Sequence, residues 1–217
     1  MFITFEGSEG SGKTSQLPAL AHYLQAAGFP VLVTREPGGT HIGDQVRQIL
    51  GDLENTDMDP RTEILLFQAS RAQHVEQVIR PHLASGGIVV CDRYADSTLA
   101  YQGYGYQRDL SQLHALIDFA TCGLKPDLTL LFDLDVEEGL RRRATGGEWN
   151  RLDAFKLEFY QRVRQGYLLM ARAEPERWVI VDAAQPPRVV ETSVRQIVFE
   201  RLKTLEKPGY ECRGERV

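Results

Sequence analysis

The stretch Gly7–Thr14 constrains the fold of this 217-residue chain more than any other segment. Its letters, GSEGSGKT, fit the pattern G-x-x-x-x-G-K-[ST] without a mismatch. A short apolar run precedes it and a helical pattern follows it, which is the strand–loop–helix context that this pattern requires. The alternative is a glycine-rich turn that only caps a helix. The context favours a phosphate-binding loop, the P-loop.

In such a loop each residue type has a physical task. Glycines let backbone N–H groups turn inward around phosphate oxygens. Lys13 neutralises the terminal phosphates, and the Thr14 hydroxyl is offered to Mg²⁺. Glu9 is unexpected, because it adds a negative charge to a site for anions. The predicted phosphate-binding residues of the loop are Gly7, Ser8, Glu9, Gly10, Ser11, Gly12, Lys13 and Thr14.

Short apolar runs alternate with helical patterns along the chain. Strands are predicted over 2–6, 31–35, 88–92, 128–134 and 178–182. Helices are predicted near 13–27, 42–50, 61–84, 97–102, 111–122, 136–144, 154–173 and 187–204. Strands that are apolar throughout indicate a parallel sheet buried on both faces. The pattern predicts an α/β fold, a five-stranded parallel sheet flanked by helices, with ligands bound beyond the carboxyl ends of the strands.

Composition narrows the functional classes. The net charge of −5 argues against nucleic acid as the main partner. Three cysteines without metal-type spacing indicate a reducing, cytoplasmic compartment. No apolar run approaches the about 18 residues of a membrane span. We expect one domain over 1–204, followed by a polar tail, 205–217, with the composition of a disordered segment.

The segment after the third strand, CDRYADSTLAYQGYG (91–105), carries several polar side chains. Asp92 ends the strand, where a carboxylate can hold Mg²⁺ through water. Arg93 follows at once, and the next turn brings Ser97, Thr98, Tyr101 and Gln102. The alternative is that Asp92 and Arg93 form a buried ion pair without a functional role.

The helical stretch 61–84 contains Phe67 and Arg71, which lie four residues apart and so on one face. An aromatic ring beside a guanidinium suits a flat heterocycle with polar edges. The alternative places Phe67 in the core and Arg71 on the surface. TREPGGT (34–40) cannot continue a strand and predicts either a defined turn or a plain connecting loop.

Four arginines surround a glycine pair between two predicted helices, at Arg141, Arg142, Arg143 and Arg151. Such a segment could close over a triphosphate as a mobile flap, and the alternative is a solvated basic turn. An aromatic series at helical spacing follows, with Phe155, Phe159 and Tyr167, and we interpret it as core.

Together these segments resemble thymidylate kinases of the bacterial type over roughly residues 1–204. The resemblance rests on the order of FEGSEGSGKT, TREPGGT, LFQASRAQ, DRYADSTLAYQG and KPDLTLLFDL. It implies the three-layer P-loop NTPase fold and transfer of the γ-phosphoryl group of ATP to dTMP, with Mg²⁺. It also implies a homodimer formed through helices, for which the apolar faces of 42–50 and 61–84 are candidates.

For the acceptor site, the resemblance implies that Glu9 faces the dTMP sugar and the metal. It assigns stacking on thymine to Phe67, the base O4 edge to Arg71 and the dTMP phosphate to Arg93. Tyr101 would pack where a ribose 2′-hydroxyl needs space. The other implied dTMP contacts are Pro37, after a cis peptide bond, Ser97, Thr98 and Gln102.

For the donor site, the resemblance places Ala184 and Gln185 beside adenine. Because the loop carries no arginine, the flap, 140–152, must supply a cation. We assign Arg142 to ATP binding, and Arg143 or Arg151 to charge that develops in the transition state. The implied catalytic residues are Lys13, Arg93, Glu9, Arg142, Arg143 and Arg151, and the metal site is formed by Thr14, Asp92 and Glu9.

The predicted reaction is in-line phosphoryl transfer from MgATP to dTMP. The attacking phosphate oxygen is already anionic, so positioning and charge neutralisation suffice without a general base. One alternative is another (deoxy)nucleoside monophosphate kinase. A nucleotide-dependent switch is the other, but it would need a guanine-reading N-K-x-D stretch, which the sequence lacks.

Overall fold

The computed structural model describes residues 1–145 and 156–205. The strands are β1 (Phe2–Glu6), β2 (Val31–Arg35), β3 (Ile88–Asp92), β4 (Leu128–Asp133) and β5 (Trp178–Asp182). The α-helices are α1 (Lys13–Ala26), α2 (His41–Gly51), α3 (Pro60–His74), α4 (Arg80–Ala84), α5 (Ala95–Thr98), α6 (Leu110–Thr121), α7 (Val136–Ala144), α8 (Leu157–Ala173) and α9 (Pro187–Leu205). The five predicted strands are confirmed, and the fourth ends one residue earlier than predicted.

The five strands form one sheet in the order β2-β3-β1-β4-β5, and all neighbouring pairs are parallel. The predicted α/β class is therefore confirmed. β1 lies at the centre, with β3 on one side and β4 on the other. A crevice opens beyond the carboxyl ends where the strand order changes direction. The P-loop follows β1 directly and so lies at this crevice.

Alternating side chains of the strands enter two different cores, which makes the fold three-layered. On β1, Ile3 and Phe5 pack with α1 and α9, whereas Phe2 packs on the opposite side of the sheet. On β4, Leu130 belongs to the first core and Leu131 to a core built with α6 and α8. Burial on both faces explains why the strands are apolar throughout.

Two predicted helices are irregular. The stretch predicted as 61–84 is α3, a π-helical turn (Val75–Ile79) and then α4. Pro81 lies just after the π-helical turn and has no N–H to donate to a carbonyl four residues earlier, which disturbs the regular ladder. The stretch predicted as 97–102 is α5 continued by a second π-helical turn, Leu99–Gly105. Such turns occur often at functional sites.

Some predictions fall on other parts of the chain. Residues 146–152 of the predicted flap lie outside the described residues, as do 154–155, the predicted start of the helix that became α8. The predicted tail, beyond the backbone of position 205, also lies outside them. No helix in the described ranges is long and apolar enough to cross a membrane.

Candidate active site

A cavity of about 690 Å³ lies at the carboxyl edge of the sheet. Most of the side chains predicted for the site line it, although they come from segments far apart in the sequence. The predicted residues that line it are Glu9, Gly10, Ser11, Gly12, Lys13, Thr14, Pro37, Phe67, Arg71, Asp92, Arg93, Ser97, Thr98, Tyr101, Gln102, Arg142 and Arg143. Gly7, Ser8, Ala184 and Gln185 lie outside its lining.

The P-loop packs so closely on its surroundings that two of its glycines have no room for a side chain. A Cβ atom on Gly7 would lie 2.5 Å from the carbonyl oxygen of Phe132, at the end of β4. A Cβ atom on Gly10 would collide with the carbonyl of Gly139, in α7. Gly10 also has a positive φ of 69°, which favours glycine. The loop is thus held between β4 and α7.

Lys13 is buried and turned back into the loop. Its Nζ donates to the carbonyl oxygens of Gly7 and Ser8, each at 2.8 Å, and to Ser11 Oγ at 3.1 Å. Burial, with the nearby Arg93 guanidinium as the next cause, lowers the pKa of Lys13 to about 8. A phosphate bound by the loop would place negative charge beside this ammonium and so favour its charged form.

Thr14 and Asp92, two of the three predicted metal ligands, are in contact. Thr14 Oγ1 donates to Asp92 Oδ2 at 2.6 Å. They meet because β1 and β3 are neighbours in the sheet. A hydroxyl and a carboxylate are the oxygen ligands that Mg²⁺ prefers. In the described part of the chain no cluster of three or more His, Cys, Asp or Glu could hold a metal ion.

Glu9 forms an ion pair with Arg93, whose Nη2 lies 3.0 and 2.9 Å from the two carboxylate oxygens. Tyr101 also donates to Glu9 Oε1, at 2.7 Å. Burial would raise the pKa of Glu9, but Arg93 and Lys13 hold it below its ordinary value. Glu9 is therefore an anion on the Arg93 side of the loop, and Arg93 pairs with it and not with Asp92.

The backbone of Arg93 directs this contact. Its φ of 66° lies in the left-handed region, which is uncommon for a residue with a side chain. The guanidinium reaches the P-loop, where Nη1 donates to the Gly7 carbonyl at 3.0 Å, and it lies 5.0 Å from the ring centre of Tyr101. A strained backbone held by such contacts is typical of functional sites.

Glu6 was missed as part of the site, because it reads only as the last residue of a strand. It is fully buried and accepts hydrogen bonds from Tyr94 N (2.8 Å), Ser97 Oγ (2.6 Å) and Tyr167 Oη (2.8 Å). Burial, and next the charge of Asp96, raises the pKa of Glu6 to about 7. Tyr167 is core, as predicted, but its hydroxyl belongs to this network.

At the other end of the cavity, Arg71 is 1% exposed, so the alternative of a surface arginine is wrong. Its Nε donates to Glu36 Oε2 at 2.7 Å, and its Nη1 to Thr98 Oγ1 at 3.0 Å. Phe67 is half-buried and lines the same cavity. The predicted pairing of a ring and a guanidinium on one helix face is confirmed.

The TREPGGT segment is a defined turn and not a plain loop. The Glu36–Pro37 peptide bond is cis, as the resemblance implied. Glu36 is buried, and its Oε1 lies 3.0 Å from Nδ1 of the buried His74. Arg47, from α2, donates to the Pro37 carbonyl at 3.0 Å. The turn is therefore fixed to both α2 and α3.

Two further arginines line the cavity, Arg35 and Arg47. Arg35 was visible as a charged residue at a strand end, although no role was assigned to it. Arg47 was missed, because an arginine in an amphipathic helix looks like an ordinary surface residue. With Arg71, Arg93, Arg142 and Arg143 they give the described part of the cavity six guanidinium groups, which suits an anionic ligand.

Arg142 lines the cavity and connects it to the predicted adenine residues, which lie outside the lining. Arg142 Nε donates to Glu138 at 2.7 Å, and its Nη1 donates to the Ala183 carbonyl at 3.2 Å. Ala184 and Gln185 follow directly and are tied to Asp182. The third flap candidate, Arg151, lies outside the described residues.

Known proteins match this chain over nearly its whole length. The family model described as thymidylate kinase matches residues 5–194. Curated relatives include thymidylate kinases of Roseiflexus sp. (strain RS-1), 50% identical over 95% of this chain and 97% of the relative, and of Desulfosudis oleivorans, 48% identical over 96% and 100%.

A solved structure agrees with these relatives. The crystal structure of thymidylate kinase from Ehrlichia chaffeensis is similar with a TM-score of 0.74, at 36% identity over 91% of this chain and 98% of that one. Sequence family, relatives and fold lead to the same assignment. The chain belongs to the thymidylate kinase family of ATP-dependent nucleoside monophosphate kinases.

Proposed function

We propose that this enzyme transfers the γ-phosphoryl group of MgATP to dTMP and so forms dTDP. The observation that carries the proposal is that one cavity contains both a site for phosphates and a site for a base. The P-loop with Lys13 supplies a polyphosphate site, and the Phe67–Arg71 face supplies a place for a flat base. Arg93 lies against the loop and lines the same cavity.

In the acceptor site, thymine stacks on Phe67 and its O4 faces Arg71. The dTMP phosphate binds Arg93 through paired N–H groups, with Arg35 and Arg47 adding positive charge. Tyr101 packs against the sugar. Pro37, Ser97, Thr98 and Gln102 complete the dTMP site.

Glu9 serves the acceptor side of the P-loop. Its contacts with Arg93 and Tyr101 support this role, because both partners belong to the proposed dTMP site. A carboxylate there can accept a hydrogen bond from the sugar hydroxyl or from metal-bound water. The proposal thus gives a reason for an acid inside a phosphate loop.

In the donor site, ATP phosphates bind the loop that runs from Gly7 to Thr14, and adenine lies beside Ala184 and Gln185. Thr14 and Asp92 hold Mg²⁺, with Glu9 near it. The ion neutralises phosphate charge when it is bound. The contact of Arg142 with the Ala183 carbonyl supports its assignment to ATP.

Catalysis rests on positioning and on cations. Lys13, Arg93 and the flap, 140–152, surround the moving phosphoryl group, with Arg143 or Arg151 meeting the charge of the transition state. The charge of Arg143 already acts on Glu9 across the cavity. We assign 1–204 to a single kinase domain that contains this flap, and 205–217 to a polar C-terminal tail.

The decisive experiment is a panel of phosphoryl acceptors. ADP release is measured with ATP, Mg²⁺ and each of dTMP, dUMP, dCMP, dGMP and UMP. We expect the highest kcat/KM for dTMP. A higher value for any other acceptor contradicts the assignment and favours another nucleoside monophosphate kinase.

We also infer a cytoplasmic homodimer. Half-exposed apolar side chains on α2 and α3, such as Ile42, Ile49 and Leu65, support an interface there. The free thiols of Cys91 and Cys122 support a reducing compartment. Light scattering on the purified protein measures the mass, and a monomer at micromolar concentration contradicts the dimer.

A further inference from the structure

Two rows of side chains face each other across the base end of the cavity. Glu63, Phe67 and Arg71 are spaced four apart on α3 and so form one row. Thr98 and Gln102 form the other. Hydrogen bonds join the rows at both ends, Arg71 Nη1 to Thr98 Oγ1 at 3.0 Å and Gln102 Nε2 to Glu63 Oε1 at 2.9 Å. A ring stacked on Phe67 therefore lies between an arginine end and a glutamine end.

The arginine end can only donate. A guanidinium has five N–H groups. Those of Arg71 go to Glu36, to Gln68 and Thr98, and to the Tyr94 carbonyl at 3.1 Å. Within 1–145 and 156–205, these contacts leave one N–H of Nη2 without an acceptor. That N–H suits a carbonyl oxygen on a ligand.

The glutamine end can accept. Gln102 is 3% exposed and lines the cavity. A carboxylate only accepts hydrogen bonds, so the NH₂ group of Gln102 must face Glu63. The amide oxygen of Gln102 therefore faces away from Glu63. This Oε1 receives no hydrogen bond from the residues that the structure describes. It is therefore available to a donor on the ligand.

We propose that Glu63 is a positioning residue that fixes the amide of Gln102 so that its oxygen accepts the N3–H of a thymine or uracil base. The inference rests on the proposed function and adds how the base is selected. Thymine presents an acceptor at O4 and a donor at N3, which match Arg71 and Gln102. Cytosine presents a donor at C4 and an acceptor at N3, so both positions meet groups of the same kind.

This arrangement selects against dCMP, because a buried site built for one hydrogen-bond pattern leaves its polar groups unpaired with the opposite pattern. Glu63→Gln removes the constraint, since an amide at this position can donate or accept and Gln102 can turn round. We expect the ratio of kcat/KM for dTMP to that for dCMP to fall about tenfold or more.

The matched control is Tyr106→Phe. Tyr106 Oη donates to the other oxygen of Glu63, at 3.3 Å, so the variant removes this hydrogen bond and keeps the carboxylate. The dTMP-to-dCMP ratio should stay at the wild-type value. A ratio that falls equally in both variants overturns the proposal, because the amide orientation is then not the cause.

A second pair of variants tests whether Glu63 acts through Gln102. Gln102→Leu removes the acceptor and should lower the ratio by itself. Adding Glu63→Gln to it should then change the ratio no further. An independent loss in the double variant, or an unchanged ratio in Gln102→Leu, overturns the proposal, and Gln102→Leu decides if Glu63→Gln does not fold. If the wild-type enzyme does not prefer dTMP, the proposed function fails instead.

Discussion

The buried carboxyl of Glu6 should make the stability of the enzyme depend on pH in a predictable direction. Its pKa rises from 4.5 to about 7 in the folded protein, because burial and the charge of Asp96 disfavour the anion. The folded state thus holds this proton more tightly than the unfolded state does. The stabilising effect is present below the unfolded pKa and is lost as pH rises through about 7.

The rise in pKa from 4.5 to about 7 corresponds to about 3 kcal/mol, most of which is lost between about pH 5 and about pH 8. The perturbation is Glu6→Gln, which does not titrate. Its amide oxygen can still accept from Tyr94 N, and its NH₂ group can donate to the Ser97 and Tyr167 hydroxyls. The wild type should therefore lose about 2–3 kcal/mol relative to the variant over this range.

The assay is urea unfolding of both proteins, without ligands, at several pH values. Comparing the two proteins cancels the contribution of every group whose titration the substitution leaves unchanged. Glu200→Gln is the control, because Glu200 is 62% exposed and its removal should leave the pH profile unchanged. If the wild-type and Glu6→Gln profiles run parallel, Glu6 does not carry a raised pKa.

Three further predictions concern activity. Glu9→Gln should lower kcat/KM for dTMP about tenfold or more, because the hydrogen bonds that Glu9 accepts as an anion are weakened. The Kd for ATP should stay near the wild-type value. Lost ATP binding with intact turnover would contradict this prediction. Tyr101→Ala should narrow the gap in kcat/KM between dTMP and ribo-TMP, and an unchanged ratio removes Tyr101 from sugar selection. Among alanine variants of Arg142, Arg143 and Arg151, at least one should lose about tenfold in kcat, or about 1.4 kcal/mol; three variants with normal kcat would place the catalytic cation outside the flap.

The fold was predictable because it depends on patterns that are local in the sequence. In the segments that form β1 and β3, consecutive apolar residues indicate by themselves that both faces of the strand are buried. The π-helical turn at Val75–Ile79 could not be predicted in detail, because the packing of α3 and α4 decides where the irregularity falls. The turn at Glu36 was predicted as a break, but its attachment to His74 and Arg71 was not.

The site was predictable where a residue type is unusual in its context. A lysine that follows spaced glycines and precedes a hydroxyl is typical of a phosphate-binding loop. Ion pairs between residues far apart in the sequence were not predictable. Glu9 and Arg93, for example, are 84 residues apart. Arg47 and Glu63 also escaped notice, because a charged residue in a helix usually faces solvent and only the tertiary fold turns these two towards the cavity.

The close approach of Gly10 and Gly139 has a consequence for how the enzyme can evolve and move. Each glycine leaves no space for a methyl group on the other side, since a Cβ atom on Gly139 would lie 2.5 Å from the Glu9 carbonyl. Arg142 and Arg143 follow Gly139 by about one helical turn, roughly 5 Å along α7. The loop and α7 therefore meet backbone to backbone at the residue just before the proposed flap, 140–152, which contains both arginines. A shift of the loop that accompanied phosphate binding would reach α7, and with it the start of the proposed flap, through backbone contact alone.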